Sequence, residues 1–162
     1  MSTSIRAFEE QDIDRVVELS LAAWRPVFES FRRLLGDPLY FRAFPDWRES
    51  QRRAVRSVCS SEETDIWVAI GDGGPVGFVA SRIDLASDPL VGEIEMIAVD
   101  PEHQRSGIAT ELLEHAVERL DAAGVDLVAL ATGGDPGHTP ARGLYEKAGF
   151  TALPLVRYYR RP

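Results

Sequence analysis

The pattern of apolar residues in the middle of the chain changes from strand-like to helical across one polar turn. Glu93–Val99 is short, apolar-rich and partly β-branched, as is typical of a strand. Asp100-Pro101 ends this run, because proline cannot donate to a strand ladder. After the turn, apolar residues recur at helical spacing with charged residues between them. These apolar positions are Ile108, Ala109, Leu112, Leu113, Ala116, Val117 and Leu120.

Upstream of this unit, helical and strand-like segments alternate. Ser4–Phe8 is a candidate strand, and a helix capped by Asp12 is expected to follow it and to end near Pro26. A second helix fits Asp46–Val58. Two strands then meet at a glycine-rich hairpin turn, since glycine and aspartate tolerate the positive φ of such turns. These two strands span Asp65–Ile70 and Pro75–Leu85.

Downstream of the central helix, Val125–Ala131 is almost continuously apolar, as is typical of a buried parallel strand. A short helix is expected from Thr139 to Gly149, followed by two closing strands. An antiparallel meander thus precedes the strand–turn–helix unit. A Rossmann nucleotide-binding fold is disfavoured, because its glycines should follow the first strand of repeated βαβ units. The closing strands span Phe150–Leu153 and Leu155–Tyr159.

The polar turn before the central helix has the features of an anion site. The first N–H groups of a helix lack internal partners, and the helix dipole places partial positive charge there. Gly107 lets an anion approach the backbone, Arg105 adds a charge, and Ser106 or Thr110 adds a hydroxyl. The turn therefore predicts a phosphate or pyrophosphate site. The alternative is an ordinary turn that contains a glycine.

Composition narrows the class of protein. The chain has 162 residues, which fits a single domain over residues 1–162. Its formal charge of −8 argues against nucleic acid as a general partner. The lone Cys59 excludes an intramolecular disulfide and suits a cytoplasmic location. No signal peptide or membrane-spanning run is expected, and the histidines lack metal-ligand spacing.

Two motifs resemble the GNAT superfamily of acetyl-CoA-dependent N-acetyltransferases. Gln104-x-x-Gly107-x-Ala109 matches the Q/R-x-x-G-x-G/A signature of that superfamily. Ala141–Phe150 is similar to its A-x-x-L-Y-E-K-x-G-F segment. Two motifs in the right order are more specific than either alone. The resemblance implies an α/β (mixed α+β) fold, with about seven mostly antiparallel strands, a splayed parallel pair and helices on both faces.

The resemblance also implies acetyl-CoA as the acyl donor, with no metal. The backbone amides of the turn would hold the pyrophosphate, and the end of the preceding strand would pair with the pantetheine arm. The family often has an asparagine seven residues before the motif tyrosine, where this chain has a histidine. The residues implied to contact the donor are Ile97, Ala98, Val99, Gln104, Arg105, Ser106, Gly107, Ile108, Ala109, Thr110, His138 and Tyr145.

Acyl transfer to an amine needs a proton acceptor for the amine, and two strand acids are candidates. Strand alternation is expected to place Glu93 and Glu95 on one face with Ile97 and Val99. Glu95 is favoured as the base because it lies nearer the turn, with Glu93 ordering water or binding substrate. Different GNAT branches resemble this chain with the base at either position. The alternatives are a solvated face or pairing with an arginine such as Arg82.

The leaving thiolate needs a proton donor, and Tyr145 is the candidate. It lies where the family tyrosine faces the sulfur of coenzyme A and can act as a general acid. The alternative is an aromatic side chain that only packs in the core. His138, at the position of the family asparagine, either replaces a donor contact or marks a rearranged loop.

These features predict direct acetyl transfer to a primary amine of a small molecule, without an acyl-enzyme. The rival class is a non-catalytic acyl-CoA-binding sensor or interaction module. A protein lysine or N-terminal amine is an alternative acceptor. N-terminal acetylation is disfavoured, because such relatives usually carry a glutamate in the strand that matches Val125–Ala131. A longer acyl donor, the identity of the acceptor and a homodimer remain open.

Overall fold

The computed structural model describes residues 3–162. A five-stranded sheet forms its centre, with the strands in sequence order across the sheet. The strands are β1 (Ser4–Ala7), β2 (Thr64–Gly71), β3 (Gly74–Asp84), β4 (Val91–Val99) and β5 (Leu127–Leu130). The helices are α1 (Ile13–Leu35), α2 (Asp37–Ala43), α3 (Trp47–Cys59), α4 (Ile108–Ala122) and α5 (Thr139–Lys147). Short 3₁₀ turns span Glu10–Asp12, Pro101–His103 and Pro136–His138.

The sheet combines an antiparallel meander with one parallel pair. Strands β1 to β4 pair antiparallel in sequence order, and α4 crosses over so that β5 pairs parallel with β4. The central strand β3 is buried along most of its length, as expected for a strand with neighbours on both sides and helices above and below. The predicted mixed α/β architecture with a parallel pair is confirmed.

Each face of the sheet carries its own apolar core. On one face, the periodic apolar residues of α4, such as Leu112 and Leu113, pack against Val79 and Ile94. On the other face, α1 and α3 supply Val16, Leu19 and Val55, which pack against Val68 and Phe78 of the strands. Burying an aliphatic or aromatic side chain contributes about 1.5–3 kcal/mol. The sheet is therefore fixed from both sides.

The two predicted closing strands are absent from the structure, so the sheet has five strands instead of about seven. Residues 151–162 have no regular secondary structure, and they are exposed. The strand predicted over Val125–Ala131 is shorter than expected, and as an edge strand it is only half-buried. A four-residue edge offers few ladder bonds, and Pro154 lacks an N–H to donate. Residues 151–162 therefore have the apolar content of strands but do not pair with the sheet.

The first helix was wrongly predicted to end near Pro26. It continues through that residue to Leu35, although an internal proline costs a helix about 3 kcal/mol. Packing beyond the proline offsets the cost, because Phe28 stacks on Trp47 with ring centroids 4.4 Å apart. Gly36, at φ +71°, then turns the chain into α2, a helix that the sequence analysis did not predict.

Asp12 precedes α1 as expected, but its side chain does not cap that helix. It accepts hydrogen bonds from both terminal nitrogens of Arg6, at 2.7 and 2.9 Å, and from the backbone N–H of Glu9. The Asp12 side chain is only 5% exposed. The hydrogen bonds from Arg6 lower the pKa of Asp12 below its ordinary value. This ion pair ties β1 to the start of α1.

We expect Asp12→Asn to lower the free energy of unfolding at pH 7 by about 1.5–3 kcal/mol, the range for hydrogen bonds to charged groups. A lowered pKa contributes stability above the unfolded value of 3.8, and that stability is lost as the pH falls through the folded value. The difference from wild type should therefore shrink below about pH 4 in urea titrations. Asp37→Asn, which removes an exposed ion pair with Arg32, is the matched control and should change stability less. Equal effects of both substitutions would contradict the role of Asp12.

Candidate functional site

The turn between β4 and α4 is held in shape by its own side chains. Gln104 donates from Nε2 to the carbonyl of Val99 at 3.0 Å, so it closes the turn onto the end of the strand. Ser106 donates its hydroxyl to the carbonyl of His103. Asp100 accepts from the Glu102 N–H at 2.9 Å. Gln104 and Ser106 thus fix the backbone, and the ligand-binding capacity of the turn lies in its amides.

Six consecutive amides of this turn are free to bind an anion. Within residues 3–162, no acceptor receives the backbone N–H groups from Arg105 to Thr110. They lie at the N-terminus of the 15-residue helix α4, where the helix dipole favours negative charge. Gly107 adopts φ +90°, and a Cβ built there would meet no heavy atom within 4 Å. The turn therefore has the open space and the donors that a pyrophosphate requires.

A part-buried ion pair between Arg15 and Asp100 anchors the same turn to α1. Arg15 donates to Asp100 from Nη2, and to the carbonyl of Pro75 from Nε at 3.1 Å. Burial by itself would raise the pKa of Asp100, but hydrogen bonds from the Glu102 N–H and Arg15 outweigh it and lower that pKa. Asp100 therefore stays ionised at neutral pH and joins the turn to the helix that packs on the opposite face. The sequence analysis missed Arg15, because an ion pair between residues 85 positions apart leaves no local pattern.

The parallel strands separate beside this turn. Pairing between β4 and β5 runs from Val91–Leu127 to Ile94–Leu130 and then stops. Strand β4 continues to Val99 and keeps its antiparallel partner β3 as far as Gly77–Val99. The end of β4, residues 95–99, therefore has no β5 neighbour. This is the separation of parallel strands at which the pantetheine arm was expected, and Ile97, Ala98 and Val99 lie on it.

The two strand acids share one arginine. Arg82 contacts Glu93 from Nη2 at 3.0 Å and Glu95 from Nε at 2.9 Å. Glu95 also accepts from the Thr64 hydroxyl at 3.3 Å. The side chains of Glu93, Glu95 and Arg82 are 40%, 23% and 38% exposed, so the cluster is half-buried. Two carboxylates on one guanidinium leave a net negative charge.

The acids lie on one face as expected, but Ile97 and Val99 do not share that face. The register between β3 and β4 shifts between Ala80 and Ser81, so the ladder skips Glu95. Such a bulge inserts one unpaired residue and reverses the alternation beyond it. As a result, Ile97 and Val99 pack toward α4, while Met96 and Ala98 pack toward α1 and α3. A prediction that assumes strict alternation of side chains along β4 could not show that the strand contains an extra, unpaired residue.

Tyr145 lies on α5 and packs against the core on the α4 face. Its ring meets Phe150 edge-on, with centroids 6.2 Å apart. Burial raises the pKa of Tyr145 to about 12. Its hydroxyl makes no hydrogen bond to the described residues, so it is free to donate one to a ligand.

The loop before α5 holds His138 against a buried carboxylate. Asp135 hydrogen-bonds His138 at Nδ1, and its side chain is 7% exposed. The Gly137 N–H donates to Ser30 of α1 at 3.1 Å, and Arg142 donates to the carbonyls of Gly133 and Asp135. The sequence analysis missed Asp135, although an Asp-Pro-Gly-His turn is a local signal for a side chain that bonds its own backbone. His138 is thus built into a hydrogen-bonded loop.

The described part of the chain also contains a cavity of about 640 Å³ away from the turn. It lies at the opposite end of α4, between Asp65, Asp84 and Arg119, and reaches Arg82. Arg82 is therefore the one residue that this cavity shares with the acid cluster. None of the described helices has the length and apolar character needed to cross a membrane.

The site elements are those of a known enzyme family. The sequence profile of the acetyltransferase (GNAT) family matches residues 23–150, and the chain belongs to this family. Mycothiol acetyltransferase of Sanguibacter keddieii is 31% identical over 154 residues, which cover 89% of this chain and 47% of that protein. Mycothiol acetyltransferase of Beutenbergia cavernae is 35% identical over 97 residues, covering 60% and 32%. The chain thus spans about a third to a half of these relatives.

Solved structures share the fold at low sequence identity. Aminoglycoside acetyltransferase AAC(6')-Iy, solved with a bisubstrate analogue of coenzyme A and acetylneamine, superposes with a TM-score of 0.67 at 18% identity, covering 100% of this chain and 99% of that one. A putative acetyl transferase from Pyrococcus furiosus gives a TM-score of 0.69 at 21% identity, covering 99% and 100%. These similarities confirm the GNAT fold that the two sequence motifs implied.

We expect Gly107→Val to weaken acetyl-CoA binding at least tenfold, or about 1.4 kcal/mol, in isothermal titration. The added side chain would occupy the open space over the amides. Gly124→Val is the matched control, because Gly124 also has a positive φ, of +80°, and a Cβ added there would meet no heavy atom within 4 Å, yet it follows the far end of α4. Both variants carry similar backbone strain. Equal affinities of the two variants for acetyl-CoA would contradict the assignment of this turn.

Proposed function

We propose that this chain transfers an acetyl group from acetyl-CoA to a primary amine of a small molecule by direct attack of the amine. The run of unpartnered amides from Arg105 to Thr110, beside the free end of β4, carries this proposal. Six amides at a helix N-terminus suit the pyrophosphate of the donor. The unpaired edge of β4 suits the amide groups of its pantetheine arm. Membership of the GNAT family gives these two features a common ligand.

The amine proton passes to Glu95 in this proposal. Arg82 contacts one carboxylate oxygen of Glu95 and the Thr64 hydroxyl donates to the other, so proton acceptance through an ordered water is easier than direct contact. Glu93, on the same arginine, orders that water or binds the substrate ammonium. The net negative charge of the cluster favours a cationic acceptor. Tyr145 directs its free hydroxyl to the leaving sulfur and stabilises the charge that develops there.

The relatives support a small-molecule acceptor. Mycothiol acetyltransferases and an aminoglycoside acetyltransferase are named for small molecules. The [ribosomal protein bS18]-alanine N-acetyltransferase of Escherichia coli is 38% identical, but over 63 residues only. A protein N-terminal amine is therefore the second candidate acceptor. The ion pairs of Glu93 and Glu95 would favour a non-catalytic binding module if they were fully buried, but they are half-exposed.

The proposed activity is tested by titrating acetyl-CoA and then measuring thiol release with a panel of amines. The panel should contain aminoglycosides, polyamines, amino-sugar thiols, amino acids and a peptide with a free N-terminus. We expect saturable thiol release with at least one small amine and none without an acceptor. Binding of acetyl-CoA without thiol release from any amine would instead favour the binding module. Turnover with the peptide alone would move the acceptor to the protein class.

We expect Glu95→Gln to depress kcat/KM most at neutral pH and to recover part of it at high pH, where more of the amine is already deprotonated. Glu93→Gln is the matched control on the same arginine and should mainly raise the KM for the amine. Initial rates from pH 6 to 9 distinguish the two substitutions. If both variants keep full activity across this range, the amine arrives neutral and the enzyme acts by positioning alone.

A further inference from the structure

A second pocket, of about 180 Å³, lies on the outer side of α1, where α1, α2 and the start of α3 meet. Three of its lining residues are arginines, two are aromatic and one is a glutamate. These residues are Arg25, Glu29, Arg32, Tyr40, Trp47 and Arg48. Convergent guanidinium groups beside a phenol are typical of a site for an oxyanion. The function proposed above leaves this pocket without a role.

The pocket is separate from the proposed donor site. Arg15 ties the start of α1 to the turn at Asp100, whereas the pocket uses residues much further along the same helix. At a rise of about 1.5 Å per residue, Arg25 and Arg32 lie about 15 and 25 Å along α1 from Arg15. No residue of the turn and neither strand acid lines the pocket. A ligand there would be held by groups that the donor does not use.

The arginines of this pocket outnumber their carboxylate partners. Arg25 donates to Glu29 at 3.0 Å, and Arg32 forms a two-bond ion pair with Asp37 at 2.7 and 3.1 Å. Arg48 makes no hydrogen bond or ion pair with any residue that the structure describes, and its Cζ lies 4.6 Å from the centroid of the Trp47 ring. The surplus positive charge of the pocket is therefore that of Arg48, and its donors are available to a ligand.

Tyr40 supplies a neutral donor to the same pocket. The residue is 5% exposed, and its ring meets Phe41 edge-on with centroids 5.2 Å apart. Burial raises the pKa of Tyr40, and the charges of Arg32 and Arg48 oppose part of that rise. The hydroxyl therefore lies near these two guanidinium groups and stays protonated at neutral pH. It makes no hydrogen bond within residues 3–162, although a polar group in so buried a residue ordinarily has a partner.

Packing holds the wall of the pocket in place before any ligand binds. Trp47 stacks on Phe28 of α1, with ring centroids 4.4 Å apart and an angle of 12° between the ring planes. Asp46 accepts from the Glu49 N–H at 3.1 Å and so caps α3 directly before Trp47. The backbone that carries Arg48 is thereby fixed relative to α1. This preorganisation lowers the entropic cost of binding a ligand between the helices.

We propose that this pocket binds a phosphate group between Arg32, Tyr40 and Arg48. Its volume is below the roughly 300–1,000 Å³ of sites that enclose drug-sized ligands, so it suits a small group. The three donors come from three different helices, which suits a tetrahedral anion with three or more free oxygens better than a planar carboxylate with two. Glu29 is the one carboxylate of the lining, and Arg25 compensates its charge. This inference is independent of the acetyl transfer proposed above.

A site-resolved titration of the whole chain by NMR tests this site. The indole N–H signal of Trp47, assigned with Trp47→Phe, reports on the pocket, while the signals of Trp24 and Trp67 serve as internal references because neither residue lines it. We expect inorganic phosphate to shift the Trp47 signal saturably at neutral pH, and chloride at equal ionic strength not to do so. This readout excludes phosphate that binds to the amides of the turn. A sugar phosphate, titrated in parallel, should bind more tightly than inorganic phosphate if the natural ligand is a phosphate ester.

Single substitutions assign the bound phosphate to these donors. Arg48→Gln and Tyr40→Phe should each raise the Kd for phosphate about tenfold, the effect of losing one hydrogen bond to a charged group. Arg53→Gln is the matched control, because Arg53 is a second exposed arginine of α3 that does not line the pocket, and it should leave this Kd unchanged. Tyr40→Phe keeps the ring and its packing, so it also covers the case in which Arg48→Gln disturbs the Trp47 signal.

Several results would overturn the proposal. If phosphate shifts the Trp47 signal no more than chloride does, the arginines are merely solvated. If Arg48→Gln and Tyr40→Phe bind phosphate as the wild type does, the phosphate lies elsewhere. Acetate that binds as tightly as phosphate would make the ligand a carboxylate, and loss of phosphate binding in saturating acetyl-CoA would mean that the two ligands share one site. Because the titration needs no turnover, failure of thiol release with every amine refutes the acetyl transfer and leaves the phosphate site standing.

Discussion

The separation of β4 from β5 is the constraint on which the rest of the site depends. Strand β4 is paired on one side to its last residue, Val99, and on the other side only as far as Ile94. Backbone groups left without a strand neighbour need another partner. The turn that follows meets the same condition, because its amides also lack acceptors. Two stretches of backbone without partners, the free edge of β4 and the amides from Arg105 to Thr110, thus flank an internally bonded turn, and together they are complementary to a long, polar, anionic ligand.

The sequence predicted the central unit well because its signals are local. Alternation, the Asp100-Pro101 stop and the apolar period of α4 each act within a few residues. The same holds for the glycine turn, whose φ of +90° at Gly107 requires that residue type. The GNAT motifs lie in these local elements, so the family and the fold class could be identified without coordinates. The predicted bounds of helices and strands are wrong where their packing or pairing partners come from distant parts of the chain.

Three such failures have distinct physical causes. Packing of Phe28 on Trp47 lets α1 continue through Pro26, which local rules forbid. The bulge at Glu95 changes which face each later side chain occupies, since one inserted residue reverses a period of two. Residues 151–162 have the apolar content of strands but no neighbour to pair with. Sequence also placed Glu93, Glu95 and Tyr145 as candidates. It named Arg82 as a possible partner of the acids, which the structure bears out for both of them, but it did not pair His138 with Asp135.

Gly137 lets the loop that carries His138 pack directly on α1. A Cβ at Gly137 would lie 2.8 Å from the Cβ of Ser30 and 2.9 Å from the Cα of Val27, so the loop rests directly on the backbone of α1. The position of His138 is therefore set by the contact of its loop with α1. Val27 and Ser30 thus set the distance between the His138 loop and α1. Any side chain larger than that of glycine at residue 137 would therefore displace the loop, and His138 with it, from α1.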